Sequence, residues 1–144
     1  MKTKTFILFI SLIISCMFNS AYSQSGRSPG IDYNSIYDLK TVEVTGGTVT
    51  SVEKVYSDKN NTNYGVHITL YSENKQVPVH LGPAWYIENQ DIQISAGDYL
   101  TVIGSRVTIN SDQVIIAKEI TKEDKILMLR DSNGYPLWAA MPIR

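Results

Sequence analysis

Cysteine is almost absent from this chain, since Cys16 is the only one among 144 residues. It lies in an N-terminal apolar stretch of the kind that is removed on export. If that stretch is removed, the mature chain can form no disulfide, no thiolate metal site and no cysteine nucleophile.

Long apolar runs are also scarce, because only residues 6–14 form one. Two lysines precede this run, and small residues follow it in the pattern of a cleavage site that ends at Ser23. These features are typical of a secretory signal peptide. We therefore expect residues 1–23 to be removed and the mature protein to be periplasmic or secreted.

A second reading of the N-terminus remains open. The segment that ends in Cys16 resembles a bacterial lipobox, in which the cysteine becomes the lipidated first residue. The protein would then be an outer-membrane lipoprotein. Contact with a membrane is expected only in that case, because the apolar run is short for a helix that crosses a bilayer, which needs about 20 residues.

Clustered positive charge is lacking. The chain has 13 Lys and Arg against 14 Asp and Glu, and residues 1–23 contain two of the lysines and no acid. The mature chain therefore has 11 basic residues (13 − 2) against 14 acidic ones, a net charge of −3. Proteins that follow a phosphate backbone usually carry a basic patch, so this balance disfavours nucleic acid as the partner.

Recognisable catalytic patterns are missing as well. The sequence has no Ser-His-Asp order, no glycine-rich phosphate loop and no His-Glu-x-x-His helix. The adjacent carboxylates of Glu123 and Asp124 lie beside a turn and are most simply solvated charges. We expect no enzymatic activity, no cofactor and no metal.

Strand patterns dominate what is present. Residues 64–73 form a predicted strand with period-two alternation, which is typical of a half-buried strand: Val66, Ile68 and Leu70 face one way, while His67, Thr69 and Tyr71 face the other. The other predicted strands span residues 41–56, 76–81, 99–109 and 113–121. Gly46-Gly47 and Gly104 predict bends.

The order of these segments predicts the fold. A long bent strand, a hairpin, a short helix near residues 84–90 and two further strands follow the order of the OB-fold, a five-stranded partly open barrel. We therefore predict an all-β, OB-fold-like barrel over residues 41–124 with its helix between strands three and four. Residues 24–40 are expected to be a flexible leader and residues 125–144 a C-terminal β-hairpin extension. A small β-sandwich is the alternative.

Several short segments extend this likeness beyond topology. They read VHLGPAWY at 79–86, GD at 97–98, GSRV at 104–107, LRD at 129–131 and GYPLW at 134–138. With them the chain resembles a group of small exported bacterial OB-fold proteins, most of them uncharacterised. It is more distantly similar to the periplasmic OB-fold proteins linked to stress tolerance. The resemblance implies the barrel fold and export, and it specifies no ligand.

The two histidines of the chain lie on neighbouring predicted strands. A two-residue turn at Asn74-Lys75 would place Thr69 opposite His80, with His67 diagonally beside it. Both imidazoles would point away from the apolar face. They are candidates for a shared metal or a pH-sensitive pair, or they are simply polar surface residues. A zinc site would need a third ligand, and none is obvious on this face.

Three further side chains are candidates for ligand contact. Tyr64 and Tyr71 flank the face of strands two and three, on which OB-folds bind their ligands. Arg106 follows a glycine bend and would fix an anionic group through its forked donors, or form a surface ion pair. The loop at residues 57–63 joins strands one and two and would help to hold a ligand.

Both tryptophans of the chain are interpreted as packing residues. Trp85 lies in the predicted helix and is expected to plug the bottom of the barrel. Trp138 is expected to pack the C-terminal extension against the barrel.

Together these features favour an exported, non-catalytic binding module. Its expected partner is an envelope protein, a peptide or a glycan. The residues predicted to contact it are Tyr64, His67, Tyr71, His80 and Arg106. The alternatives are a nucleic-acid-binding OB-fold protein and a periplasmic metal- or redox-accessory protein.

Overall fold

A computed structural model describes residues 31–57 and 63–141. Two four-residue helices, α1 (Tyr33–Ile36) and α2 (Ala84–Ile87), accompany six strands. The strands are β1 (Val42–Tyr56), β2 (Tyr64–Ser72), β3 (Lys75–Pro83), β4 (Tyr99–Ile109), β5 (Asp112–Lys122) and β6 (Lys125–Met128). Single turns of 3₁₀-helix cover Leu39–Thr41 and Leu137–Ala140.

The first five strands close into a ring. The sheet runs in the order β3-β2-β1-β4-β5-β6, and β3 also pairs with β5. That closing pair is parallel and joins Val79 to Ile115 and His80 to Ile116. With α2 between β3 and β4, the ring confirms the predicted all-β, OB-fold-like barrel. The β-sandwich alternative would need two separate sheets packed face to face, and the closed ring of one sheet does not match it.

The long first strand serves both halves of the ring. Its beginning pairs with β4 and its end with β2, and the two ladders meet at Thr48. Gly47 lies at this junction, where a Cβ would come within 2.7 Å of the carbonyl oxygen of Tyr71. The glycine therefore permits the close approach of the two backbones at the point where β1 changes its partner from β4 to β2.

The barrel interior is filled by the predicted apolar face. On β2 the side chains of Val66, Ile68 and Leu70 are buried, and their polar neighbours are only partly covered or exposed. The other strands, α2 and the loop after it contribute the rest of the core: Val49, Val77, Val79, Leu81, Ala84, Tyr86, Ile87, Ile92, Leu100, Val102, Ile115, Ala117, Ile120, Leu127 and Leu129. This core fixes the register of each strand, because a slip of one residue would turn its apolar side chains outward.

The hairpin between β2 and β3 turns one residue earlier than predicted. Ser72 pairs with Lys75, so the turn residues are Glu73 and Asn74, not Asn74 and Lys75. Both have positive φ, 49° and 62°, as in the type I′ turn that matches the twist of a β-hairpin. The expected cross-strand register was therefore wrong, and His67 lies directly opposite His80.

Helix α2 was predicted in the right place but with the wrong residue inside. Trp85 is 46% exposed, so it does not plug the barrel. Its neighbours Ala84, Tyr86 and Ile87 are buried instead. The Tyr86 hydroxyl donates a hydrogen bond of 3.0 Å to the carbonyl oxygen of Met128, which ties α2 to β6.

The C-terminal extension is only partly the expected hairpin. Strand β6 pairs antiparallel with β5, but after it only a single bridge joins Arg130 to Pro136. Residues 137–140 then form a 3₁₀ turn where an extended segment was expected. The predicted packing role fits Trp138, which is partly buried against the core.

The second half of the predicted leader is ordered on the barrel. Residues 31–41 include α1 and a 3₁₀ turn, and Asp38 accepts a hydrogen bond from the Lys40 amide through its side chain. The Asp38 amide in turn donates to the Ser105 hydroxyl on β4. The expected signal peptide, Cys16 and residues 24–30 lie outside the described residues. Within the described part of the chain, no helix is long and apolar enough to cross a membrane.

Candidate functional site

A groove of about 430 Å³ lies beside the hairpin of β2 and β3. We call it the ring groove, because aromatic and imidazole rings line much of it. Its surface is more apolar than polar. The residues that line it are Tyr33, Ser57, Asn63, Tyr64, Gly65, His67, His80, Leu81, Gly82, Pro83, Trp85, Ile116, Arg130 and Trp138.

Two stacked imidazoles form the centre of one wall. The rings of His67 and His80 are nearly parallel, with 3.7 Å between their centroids and 9° between their planes. This contact follows from the register of β2 and β3, which places the two histidines directly opposite each other. The hydroxyl of Tyr33 lies 3.1 Å from Nδ1 of His80, so α1 is attached to the same stack.

The stack favours neutral histidines. Burial and, to a smaller extent, the neighbouring His67 lower the pKa of His80 from 6.5 to about 4. Burial also lowers the pKa of His67, opposed by the carboxylate of Glu53. At neutral pH both rings are therefore uncharged, and each retains ring nitrogens that can donate or accept hydrogen bonds.

Three larger aromatic residues, Tyr64, Trp85 and Trp138, line the same groove. Trp85 is half exposed and meets Tyr86 edge to face, with 6.2 Å between the ring centroids. Trp138 packs on the other side of Tyr86 at 5.6 Å. Tyr64 stands at the rim. Such rings offer flat, weakly hydrated faces for stacking with a ligand.

The Tyr64 ring is held from two sides. Its hydroxyl donates a hydrogen bond of 2.6 Å to Glu88, and Lys54 Nζ lies 3.2 Å from the hydroxyl and 4.6 Å from the ring centroid. The side chain is therefore oriented before any ligand arrives, which reduces the entropy that binding would cost.

A buried guanidinium also lines the groove. Arg130 is only 2% exposed, and its charge has no carboxylate partner in the described structure. Nη1 donates to the carbonyl oxygen of Gly134 at 2.8 Å and to Asn34 at 3.3 Å. The guanidinium also lies over the rings of Tyr37 and Trp138, at 5.1 and 5.5 Å from their centroids.

The structure brings three of the five predicted contact residues together. Tyr64, His67 and His80 all line the ring groove. Tyr71 does not line it, because it lies near the far end of β2, where its hydroxyl donates to the side chain of Asn74 at 3.2 Å. Arg106 also lies elsewhere and forms an ion pair with a carboxylate.

The partner of Arg106 is Glu43 on β1. Nε of Arg106 donates to Oε1 of Glu43 at 3.0 Å, and the same bond lowers the pKa of the Glu43 carboxyl. Both side chains are about one third exposed. Of the two readings of Arg106, the ion pair is therefore the one that this geometry matches.

Sequence reasoning missed four groove residues. Tyr33 was assigned to the leader, Trp85 and Trp138 to packing, and Arg130 was noted only within a motif. Trp85, Arg130 and Trp138 lie in segments that carry the family likeness, at 79–86, 129–131 and 134–138, whereas no segment of that likeness includes Tyr33. A pattern in the sequence could not show that these segments return to the β2–β3 hairpin.

Metal ligands are few in the groove. Among residues 31–57 and 63–141, no group of three or more histidine, cysteine, aspartate or glutamate side chains is placed to hold a metal ion. The histidine pair alone supplies two candidate ligands, and their parallel stacking does not aim two nitrogen lone pairs at one point. Ser57 and Asn63 begin and end the loop predicted to grip a ligand, and residues 58–62 between them lie outside the described structure.

Comparison with known proteins gives one finding. No curated protein and no solved structure matches the chain. A family model, that of the MamS/MamX magnetosome protein family, matches residues 41–127. The match runs from the start of the barrel into β6, so it includes the histidine stack and α2 but neither Arg130 nor Trp138. Because it covers more than half of the sequence, the chain belongs to the MamS/MamX magnetosome protein family.

Proposed function

We propose that the protein is a non-catalytic binding module of the bacterial envelope and that the ring groove holds its partner. The partner is a protein, a peptide or a glycan. The observation that carries this proposal is the groove itself, which Trp85, a 46% exposed tryptophan, lines together with two stacked histidines. An exposed tryptophan within a concave, ring-lined surface is typical of a binding site.

The composition of the groove supports binding over catalysis. Its neutral histidines have no carboxylate within hydrogen-bond distance in the described structure, and Tyr33 is the hydroxyl beside them. A hydrolytic site would need a nucleophile oriented by a base and a third group that orients the base. Stacked, neutral rings fit a ligand that is held through apolar faces and a few hydrogen bonds.

The place of action is part of the same proposal. The predicted signal peptide at residues 1–23 supports a periplasmic or secreted protein, and lipidation of Cys16 would give an outer-membrane lipoprotein instead. The family description concerns magnetosome proteins. For this chain an envelope partner is the proposal, and membrane association is expected only with the lipid anchor.

Comparative capture tests the proposal. Purified full-length mature protein, a Trp85→Ala variant and a Tyr99→Ala variant are immobilised and exposed to solubilised envelope and to a glycan array. Tyr99 is a matched control because it is an exposed aromatic residue, 64% accessible, that does not line the groove. We expect one ligand that is retained by the wild type and by Tyr99→Ala and is lost with Trp85→Ala.

Two results would contradict the proposal. A ligand retained equally by all three proteins would bind outside the groove. Salt-sensitive retention of single-stranded oligonucleotides would instead support the nucleic-acid alternative, since phosphate contacts weaken steeply with salt.

A further inference from the structure

The buried guanidinium of Arg130 has fewer partners than its charge requires. Its Nε is buried and donates no hydrogen bond in the described structure, while Nη1 makes both of the hydrogen bonds that the side chain donates. Nη2 has no hydrogen bond in the described residues and is not among the fully buried unpaired atoms. The accessible edge of the guanidinium is therefore the Nη2 edge.

Burying such a group is costly unless something compensates its charge. An ion that leaves water loses several kcal/mol even after the surroundings relax, and buried cations are normally paired with an acid. Here the compensation comes from two amide-type oxygens and from the faces of the Tyr37 and Trp138 rings. These contacts stabilise a cation, but they leave its full positive charge unmatched.

The same side chain lines the ring groove, so the unmatched charge borders the space in which the proposed ligand would lie. We propose that the ring groove binds an acidic peptide segment and that Arg130 receives one carboxylate of that segment through Nη2 and, in place of the Asn34 contact, through Nη1. This inference rests on the proposed function and names the chemistry of its partner.

The number of charges favours a single carboxylate. Arg130 is the only Lys or Arg among the described residues that line the groove. The two histidines beside it are uncharged at neutral pH, because burial lowers the pKa of both. One cation matches one monoanion, whereas a nucleic-acid strand presents a row of phosphates and would need several cations.

The walls of the groove favour a peptide over a sugar chain. Leu81, Pro83 and Trp85 give its surface more apolar than polar area. An apolar or aromatic side chain next to the carboxylate would cover these walls, while a hydroxyl-rich sugar would leave many of its hydrogen bonds unmade. Guanidinium and carboxylate then form the charge-assisted, forked pair that arginine favours.

Arg130 shares the lining of the groove with Tyr33. This residue lies on α1, a helix of four residues with no buried side chain, and its hydroxyl contacts His80. Asn34 on the same helix accepts a hydrogen bond from Arg130 at 3.3 Å, a long and therefore weak contact. A ligand carboxylate would replace this contact with a stronger one.

A matched pair of peptides tests the proposal. The probes are acetyl-Ala-Ala-Trp with a free carboxylate and the same peptide with a C-terminal amide, which differ by one negative charge. Binding to the mature protein is measured by calorimetry and by nuclear magnetic resonance. The resonance signals followed are those of the indole N–H groups of the protein's own Trp85 and Trp138, with the protein isotopically labelled and the peptide unlabelled. A charge-assisted hydrogen bond contributes roughly 1.5–3 kcal/mol, so we expect the carboxylate to bind at least about tenfold more tightly than the amide.

Two variants assign that preference to Arg130. Arg130→Lys keeps a charge but loses the fork, and we expect it to reduce the preference for the carboxylate. Arg106→Lys is the control, because its guanidinium is paired with Glu43 and lies outside the groove; it should leave the preference unchanged. If Arg130→Lys unfolds the protein, as judged by circular dichroism, Asn34→Ala becomes the test variant, and we expect it to strengthen carboxylate binding by freeing Nη1.

The outcomes separate the two proposals. Equal binding of carboxylate and amide peptides in the groove would overturn the role of Arg130 and leave the binding function standing. A preference for oligonucleotide or inorganic phosphate over the carboxylate peptide would also overturn it. If neither peptide shifts the indole signals at millimolar concentration while a captured envelope ligand does, the acidic-peptide assignment is wrong and the groove remains a binding site.

Discussion

Acidification should destabilise the barrel through the stacked histidines. His80 is neutral in the fold, where burial lowers its pKa from 6.5 to about 4, and the adjacent His67 opposes its protonation. The groups that face the stack are the Tyr33 hydroxyl and, across from His67 on β1, the Glu53 carboxylate. The cation of Arg130 lines the same groove.

The sign of the effect follows from which state binds the proton. Above about pH 6.5 the imidazole is neutral in both the folded and the unfolded chain, so the free energy of unfolding does not depend on it. As the pH falls below 6.5, the unfolded chain binds a proton that the folded chain does not. Stability is therefore lost between about pH 6.5 and about pH 4.

The size of the loss can be worked from the same two values. A pKa of 6.5 in the unfolded chain and of about 4 in the fold corresponds to a loss of about 2 kcal/mol near pH 5. The imidazole is partly exposed, so solvent screening lowers the expected loss to about 1 kcal/mol. His67 acts in the same direction, because its pKa is lowered as well.

Urea unfolding followed by tryptophan fluorescence measures this loss. The free energy of unfolding of the wild type is compared near pH 7 and near pH 5 with that of a His67→Gln, His80→Gln double variant. We expect a decrease of at least about 1 kcal/mol for the wild type and a much smaller one for the variant. Paired carboxylates such as Glu43 have a pKa below the ordinary 4.5, so their contribution to the free energy of unfolding is lost mainly below about pH 4.5. That range lies below the interval between pH 7 and pH 5 that is compared here. Equal pH dependence of the two proteins would refute the reasoning.

Three further substitutions test the packing of the barrel, each measured by chemical denaturation. Gly104→Ala should destabilise by roughly 1–3 kcal/mol, because its Cβ would lie 2.7 Å from Cγ2 of Ile115; unchanged stability would contradict the close packing of β4 on β5. Glu73→Asn should stabilise by about 0.5–1 kcal/mol, since asparagine tolerates the positive φ of this turn residue, and Glu73→Val should destabilise. Tyr86→Phe should cost about 1 kcal/mol, because it removes the hydrogen bond to a β6 carbonyl; no loss would mean that α2 is not held by this bond.

Much of the barrel could be predicted from the sequence because its signals are local. Alternating apolar residues on β2 and the glycines of β1 determine strand identity and bending within a few positions. The order of these elements then left few topologies, and the OB-fold order was among them. The pairing register of β2 and β3 was harder to predict, because either Glu73-Asn74 or Asn74-Lys75 could form the two-residue turn. A shift of one residue in the turn moves His67 from a position diagonal to His80 to one directly opposite it.

The candidate site was predicted only where it lies on regular strands. Tyr64, His67 and His80 follow from the alternation on β2 and β3. Helix α2 has four residues, too few for periodicity to decide whether Trp85 or its neighbour faces inward. Arg130 is the hardest case, because arginine is rarely buried and nothing in the local sequence signals that it returns to the groove.

Site-specific cross-linking tests most directly whether the ring groove is a binding site. A photoreactive benzoyl-phenylalanine replaces Trp85 in one protein and Tyr99, the exposed aromatic residue outside the groove, in the other. Both are produced in cells from the full-length sequence and irradiated. If the ring groove is a binding site, we expect a discrete cross-linked adduct from position 85 and none from position 99. The same adduct from both positions, or an adduct from position 99 alone, would contradict it.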